Sequence, residues 1–485
     1  MGADRQGIAL IIISSILLGI WATVNTIALR NILLVLGAII AIAYWTRWFK
    51  SDDDRKLQSR FQILDWLPFG LMGLMFVWVI AHYLFFSNDP RQQWAELTST
   101  WLRAFLAVTV GSATGLALQR HFKFAWALYL GLIISFLILI GQYIPKAVER
   151  KSFFVSGWFT DYIYWAKFSG VLAGSILVAG LIGMLIDCFA PKFLVNQRNS
   201  MDHHELGGTA LQSEKQLTIS SYVMLIYCFF GIALAFYAFV FVFDAKAGVG
   251  VSVILIGFWI AIATITLFLK SNQGTKDPKQ KGTLLKSVAF LALLICAVTW
   301  FSIQHMKNNP GWDSLFKDMA LSAQIEKYPN WQDPNRYGFP KHDDGQMVRG
   351  NTYERVAMAV AGLQVIEKDP IGHGVLRSFT QQIKRYYPEY KSHPYTHSAW
   401  IDLGLSFGWP GLLLIPTVLL IVLMRMIRQQ SSPYRATVTS LCLTMLILYT
   451  VGEYGFQHGI EILFFIAALV GGLAITRADR HQSSN

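Results

Sequence analysis

The sequence predicts an all-α, polytopic membrane protein with about twelve transmembrane helices and one large, partly helical periplasmic loop. Of its 485 residues, 54% are hydrophobic and 14% are charged. Soluble domains carry about 25% charged residues, so this chain lacks the charge to cover a soluble globule of its length. Long apolar runs recur from end to end, and one polar, aromatic-rich segment interrupts them late in the chain. This composition excludes a cytosolic enzyme and a disordered chain.

Twelve apolar runs have about the 17–25 residues that a transmembrane helix requires. They span residues 7–29, 31–49, 65–87, 100–119, 124–144, 164–188, 218–242, 248–270, 284–304, 411–427, 436–455 and 459–476. The first is too long for a signal-peptide core and is expected to be the first membrane helix. These runs divide the chain into helices 1–9 over residues 1–304, a large loop with the functional motif over 305–410, and helices 10–12 with a tail over 411–485.

The positive charges predict the orientation of these helices. With the N-terminus in the cytoplasm, cytoplasmic connections collect about 20 lysines and arginines, against about seven in the short loops opposite. Both termini are therefore expected in the cytoplasm, and the large loop on the periplasmic side. The net charge of +12 mainly reflects this distribution. It does not indicate a nucleic-acid partner, because the cations lie between apolar runs rather than on one soluble face.

The large loop contains too many tyrosines and tryptophans for a solvated tail. Residues 351–367 are predicted to form an amphipathic helix that ends at Asp369-Pro370. Its apolar face is expected to comprise Val356, Ala359, Val360, Leu363 and Ile366. A turn follows over residues 370–374, where Gly372 and Gly374 permit a positive φ or a close backbone approach.

The stretch from residue 393 to residue 411 is the most informative in the chain. It places His397 at the start of a helix that re-enters the membrane boundary, before a Gly-Trp-Pro-Gly break at residues 408–411 and another spanning helix. The free N–H groups and positive dipole end of a helix beginning near Thr396 favour an anion beside His397. They disfavour the imidazolium, which predicts a neutral imidazole able to accept a proton.

These residues resemble a known signature. His397-Ser398, nine residues, Gly408, two residues and Gly411 are similar to the histidine motif of the O-antigen ligase and polymerase superfamily. The helix that carries Arg355 and the turn with Gly372 and Gly374 resemble the elements that precede that histidine in the family. Twelve spans with one large periplasmic loop late in the chain fit the same topology.

The resemblance implies glycan transfer from an undecaprenyl-diphosphate-linked donor on the periplasmic face of a bacterial inner membrane. His397 would be the general base and Arg355 a diphosphate ligand. A second family arginine corresponds to Lys246 here, which keeps the charge but not the bidentate geometry. Arg349 and Arg150 are further outer-side cations for the same diphosphate, while Ser398 and the motif glycines would shape the site.

The proposed chemistry is consistent with the residue types present. A sugar hydroxyl must lose its proton as it attacks, which suits a neutral histidine. The diphosphate is already a stable leaving group, so fixed cations rather than a carboxylic acid are needed, and no metal or cofactor is expected. A single in-line displacement would invert the anomeric centre.

Several alternatives remain open at this stage. One dominant loop favours a ligase that uses the lipid A–core as acceptor, whereas a polymerase often has two comparable loops; a protein O-oligosaccharyltransferase shares the motif. Apart from these substrates, membrane lipids are the expected partners. A lipid-linked glycan transporter would predict inverted repeats and mid-membrane ionisable residues. His393, residues 203–205 and residues 342–344 are interpreted as polar turns and loops rather than metal ligands.

Overall fold

A computed structural model describes residues 2–23, 26–50, 63–149, 161–189, 210–243, 245–272, 278–308, 312, 314–376, 379–391, 396–429, 432–452 and 458–475. Within these ranges the chain is helical, and its only β pairing is an isolated bridge between Lys341 and Met347. The predicted class of a helical membrane protein agrees with this architecture. The number of twelve spans and the periplasmic placement of the loop stay predictions.

In the part of the chain that the structure describes, ten helices precede the large loop. They are α1 Gly2–Trp21, α2 Ile27–Lys50, α3 Ile63–Phe85, α4 Pro90–Glu96, α5 Leu102–Arg120, α6 Ala127–Glu149, α7 Asp161–Phe189, α8 Ala210–Tyr237, α9 Lys246–Asn272 and α10 Pro278–Asn308. A π-helical turn, Leu97–Trp101, joins α4 to α5, and a second, Ala238–Val242, follows α8.

The remaining helices lie in or after the loop. They are α11 Leu315–Ser322, α12 Pro334–Tyr337, α13 Gly350–Lys368, α14 Phe379–Tyr386, α15 Ala399–Arg428, α16 Arg435–Val451 and α17 Gly459–Leu473. Each predicted span is centred within one of the helices α1 to α17. In the described part of the chain, nine helical segments are long and apolar enough to cross a membrane, and α16 and α17 are shorter apolar helices.

Small residues allow the helices of the bundle to pack closely. Gly111 and Gly115 lie one turn apart on α5 and face α17. A Cβ placed at Gly115 would lie only 2.5 Å from the carbonyl oxygen of Leu469. Because lipid tails are as apolar as the side chains, the hydrophobic effect contributes little to helix association in a membrane. Close backbone packing of this kind is therefore a main source of that association. The pair therefore holds α17 against α5.

The two ends of the bundle are chemically different. One end, here called the loop end, carries residues 314–391 between α10 and α15. At the opposite end, Arg425 pairs with Asp65. There, Asp187 accepts hydrogen bonds from the backbone N–H groups of Ala436 at 2.7 Å and Thr437 at 2.8 Å. The Asp187 carboxylate thereby caps the first turn of α16.

The large loop has a hydrophobic cluster of its own. Trp331, Tyr353 and Tyr390 are fully buried in it. Asp318, also fully buried, accepts hydrogen bonds from His342 Nε2 at 2.7 Å and from Ser314 Oγ at 2.9 Å. This carboxylate ties α11 to the turn that carries His342. The aromatic residues therefore form a packed core, as their number in the sequence suggested.

The amphipathic helix predicted over residues 351–367 is present as α13, but its predicted apolar face is wrong by about one position. The buried residues are Tyr353, Ala357, Met358, Ala361, Gly362, Val365 and Ile366, whereas Val356, Ala359, Val360 and Leu363 are only partly buried. Tyr353 explains the difference. Its ring is fully buried and its hydroxyl donates to Tyr328 O at 2.8 Å, which turns this face of the helix inward.

Candidate functional site

The helix that follows the histidine motif is broken where the sequence predicted. Phe407 and Gly408 have non-helical backbone angles within α15, and Gly408 has φ 65° and ψ −155°. In a continuous helix the carbonyl of Ser406 would accept from residue 410, but Pro410 has no N–H. Gly374 N donates to Ser406 O instead, at 2.6 Å. The glycine turn thus satisfies a carbonyl that the break leaves free.

Other backbone groups at the break find partners in the same way. Trp409 N donates to Pro370 O at 3.1 Å, and His373 N donates to Leu405 O at 2.9 Å. From α3, Trp78 Nε1 donates to Phe407 O at 2.9 Å. The break is therefore a fixed structural feature that the turn over residues 370–374 and α3 hold in place.

The contact between the turn over residues 370–374 and the break in α15 requires the motif glycines. Gly372 and Gly374 have φ of 89° and 96°, so both predicted positive-φ positions are present. A Cβ at Gly372 would lie 2.5 Å from Gly408 N, and one at Gly408 would overlap the carbonyl oxygen of Pro370. Gly411 packs against the carbonyl of Leu403. The two glycine sets of the sequence motif thus touch each other directly.

Histidine 82 supports the turn and was not identified from the sequence. His82 is fully buried on α3, and its Nε2 lies 3.1 Å from Gly372 O. Because a carbonyl only accepts, Nε2 carries the proton, and Nδ1 accepts from Gln93 Nε2 at 3.3 Å. The neighbouring His373 is buried as well; burial, together with Arg385, lowers the pKa of its imidazole.

His397 has an unusual backbone conformation. Among the described residues it is the one non-glycine residue with positive φ, at 56°. Its neighbours are anchored on both sides. Thr396 Oγ1 donates to Asp402 Oδ1 at 2.7 Å, and Ser398 Oγ donates to Thr450 O on α16. A left-handed conformation costs a non-glycine residue about 1–2 kcal/mol, which these anchors must offset.

The predicted helix start is close to the observed one. Ser398 is the residue before α15, in an extended conformation, and Ala399 N donates to Gly452 O at 3.0 Å. His397 therefore sits two residues before the helix, between the N-terminus of α15 and the C-terminus of α16. Its side chain is partly exposed.

The imidazole of His397 lies against an aromatic ring from α7. The ring centroids of His397 and Phe168 are 6.0 Å apart and their planes differ by 15°, which is a parallel stack. Two residues further along α7, Gly170 packs against the ring of Phe243. Lys246 begins α9 three residues after Phe243 and is partly buried. The loop end of α7 thus brings the segments of His397 and Lys246 into one region.

The predicted arginine ligands are distributed differently. Arg355 is exposed on the second turn of α13. Arg349 is the residue before α13 and is partly buried, and its backbone N donates to Asp318 Oδ2 at 3.4 Å. Arg150 lies outside the described residues. Of the three predicted cations that the structure describes, Lys246 is the one whose segment packs on α7 near Phe168.

A buried ionic cluster at the loop end was missed in the sequence. Glu461 on α17 is fully buried and pairs with Arg30 Nε at 3.1 Å and with Arg103 Nε at 2.6 Å. Trp21 Nε1 donates to the same carboxylate at 3.1 Å. Two guanidinium groups and one carboxylate leave a net charge of +1. Glu461 and Arg103 lie within predicted spans, and charges inside apolar runs were the signal that could have identified the cluster.

The hydrogen-bond partners of His458, which lies next to this cluster, require a neutral imidazole. Arg30 Nη1 lies 2.5 Å from His458 Nδ1, and a guanidinium only donates, so Nδ1 accepts. The proton is then on Nε2, which donates to Trp21 O at 2.8 Å, with Ser169 Oγ at 3.3 Å. His458 therefore links α1, α2 and α7.

The residues considered and set aside as metal ligands are polar turns where they are described. Asp343 and Asp344 are exposed; Asp344 accepts from Gln346 N at 3.0 Å and pairs with Lys317 at 3.3 Å. That hydrogen bond and the Lys317 ammonium lower the pKa of the Asp344 carboxyl. His393 and residues 203–205 lie outside the described residues.

Comparison with known proteins adds no family. No protein-family model and no curated protein sequence matches this chain. The resemblance to the O-antigen ligase superfamily therefore stays a prediction from the motif around His397.

Proposed function

We propose that this chain is a glycosyltransferase of the O-antigen ligase type. It would transfer a glycan from undecaprenyl diphosphate to the lipid A–core oligosaccharide, with the loop end on the periplasmic side of a bacterial inner membrane. The observation that carries the proposal is the backbone of His397. A histidine held at positive φ between two helix ends, with its ring partly exposed, is a strained position of the kind that clusters at active sites.

The proposed chemistry assigns the proton to His397. The imidazole accepts the proton of the acceptor hydroxyl while the hydroxyl oxygen forms the new bond to the anomeric carbon. The bond from this carbon to the diphosphate breaks in the same step, and the configuration of the anomeric carbon is inverted. His397 lies two residues before the N-terminus of α15, at the positive end of the helix dipole. Such a site favours negative charge on the attacking oxygen or the phosphate.

The leaving diphosphate needs fixed positive charge rather than a proton. Arg355, Lys246, Arg349 and Arg150 are the cations proposed for this role. Lys246 has the strongest support, because its helix begins where Phe243 packs on the helix that carries Phe168. Arg355 is exposed on α13, and the planar guanidinium of an arginine matches phosphate oxygens with paired donors. In this proposal these side chains supply the stabilisation that a metal ion provides in other transferases.

A purified assay tests the proposal. The full chain in lipid nanodiscs receives the undecaprenyl-diphosphate-linked glycan with one of three acceptors: lipid A–core, a second lipid-linked glycan, or an acceptor protein. Transfer to lipid A–core alone is expected. Transfer to the second lipid-linked glycan would instead identify a polymerase, and transfer to protein an O-oligosaccharyltransferase. Activity should persist in a chelator; loss that one divalent ion restores would contradict the metal-free mechanism.

The diphosphate ligands are tested with a matched pair of loop arginines. Arg355→Gln should lower kcat/KM for the donor by about 10²-fold, the effect of removing one donor that stabilises transition-state charge. Arg336→Gln is the control, since Arg336 lies in the same loop and stacks over the ring of Tyr337 at 5.1 Å. Equal activities of the two variants would remove Arg355 from the site.

A further inference from the structure

The stack between His397 and Phe168 is part of a larger arrangement at the loop end. Phe168 is on α7, and the next residue, Ser169, is buried with its hydroxyl 3.3 Å from His458 Nε2. His458 in turn accepts from Arg30, which pairs with Glu461. A continuous series of contacts therefore runs from Glu461 to Ser169. Ser169 is the neighbour of Phe168, whose ring stacks on His397.

The cluster joins the loop ends of five helices. Trp21 belongs to α1, Arg30 to α2, Arg103 to α5 and Glu461 to α17, while His458 contacts Ser169 of α7. Burying ion pairs costs desolvation energy that apolar residues of the same volume would not incur. Separating a buried pair is strongly destabilising, so the cluster fixes the relative positions of these helix ends, including the first turns of α7.

We infer that Phe168 is a positioning residue for His397, and that the cluster of Arg30, Glu461 and His458 holds Phe168 in place through Ser169. This inference rests on the proposed function. The backbone of His397 is fixed by its anchors to Asp402 and Thr450, but these bonds leave the rotation of the side chain open. The flat face of Phe168 restricts that rotation and keeps one imidazole plane.

The contact itself is tested by NMR on the full chain in nanodiscs, with isotope-labelled histidine. The chain has 11 histidines, and the His397 ring signal is assigned as the one that His397→Gln removes. A parallel aromatic ring at this distance shifts imidazole C–H signals upfield. Phe168→Leu should abolish the shift, and Phe168→Tyr should retain it. The control is Phe229→Leu, because Phe229 is 54% exposed on α8.

The role in the reaction is tested by kinetics on the same variants. Phe168→Leu should lower kcat about tenfold with the donor KM unchanged, since misplacement of a catalytic group by about 1 Å costs up to 10²-fold. Phe168→Tyr should restore kcat. Ser169→Ala removes only the hydroxyl that meets His458, and it should reduce both the upfield shift and kcat by a smaller amount.

Three results would overturn the inference: no upfield shift in the wild type, an unchanged His397 signal in Phe168→Leu, or a wild-type kcat in that variant. A wild type that transfers no glycan to any acceptor would refute the proposed function instead. In that case the NMR signal still decides whether Phe168 fixes the imidazole of His397.

Discussion

Replacement of Gly408 by alanine tests the contact between the glycine turn and the broken helix. Gly408 has φ 65° and ψ −155°, a region that is essentially restricted to glycine. An added Cβ would overlap the carbonyl oxygen of Pro370. Gly408→Ala must therefore either distort the backbone of the break or push the turn over residues 370–374 away from α15.

The magnitude follows from these two effects. Backbone strain of this kind costs about 1–3 kcal/mol. Displacing the turn also breaks the hydrogen bonds from Trp409 N to Pro370 O and from Gly374 N to Ser406 O, at about 1 kcal/mol each. We expect Gly408→Ala to destabilise the folded protein by about 3–5 kcal/mol, a large fraction of the stability of a typical domain.

Thermal unfolding in detergent, followed by tryptophan fluorescence, measures the effect. Gly73→Ala on α3 is the matched control, because a Cβ there meets nothing within 4 Å. Alanine in a helix interior is favoured over glycine by about 0.5–1 kcal/mol, so this variant should unfold at or slightly above the wild-type temperature. If Gly408→Ala unfolds at the same temperature as Gly73→Ala, the account of the motif glycines is refuted.

Three further predictions concern stability. Glu461→Gln should lower the unfolding temperature much more than Arg103→Gln. The first variant leaves the buried Arg30 and the partly buried Arg103 without a carboxylate, whereas the second leaves the Arg30–Glu461 pair intact; breaking a buried pair costs about 3–5 kcal/mol. Asp318→Asn should speed proteolysis of the large loop and Asp343→Asn should not, because Asp318 is buried with two side-chain donors and Asp343 is exposed. Because the pKa of His373 is lower in the folded than in the unfolded protein, the unfolded chain takes up a proton at this histidine at a higher pH. The stability of the folded protein should therefore fall as the pH drops below about 6.5. In His373→Gln, unfolding temperatures measured between pH 8 and 5 should lack this part of the pH dependence.

The helices could be predicted because their signal is local. Each apolar run is long enough to be recognised without knowing its neighbours, and Pro410 and the glycines mark the break in α15 for the same reason. The contact between this break and the turn over residues 370–374 was not predicted. It joins segments more than 30 residues apart, and neither motif by itself indicates that it binds the other.

The composition of the site was only partly predictable. His397 was recognised from its motif, but its contact with Phe168 depends on how α7 packs at the loop end. The cluster around Glu461 draws its residues from separate helices, so the sequence alone does not indicate that these charges meet. The apolar face of α13 was misassigned because the 3/4 spacing of its apolar residues does not show that Tyr353 is buried.

The central claim is that His397 accepts the proton of the attacking hydroxyl. The most direct test compares His397→Ala with the wild type in the purified transfer assay, after both show the same thermal unfolding and the same binding of the lipid-linked donor. We expect His397→Ala to bind the donor and to form product at least about 10²-fold more slowly, the lower range of general acid–base catalysis. A folded His397→Ala protein with wild-type turnover would contradict it.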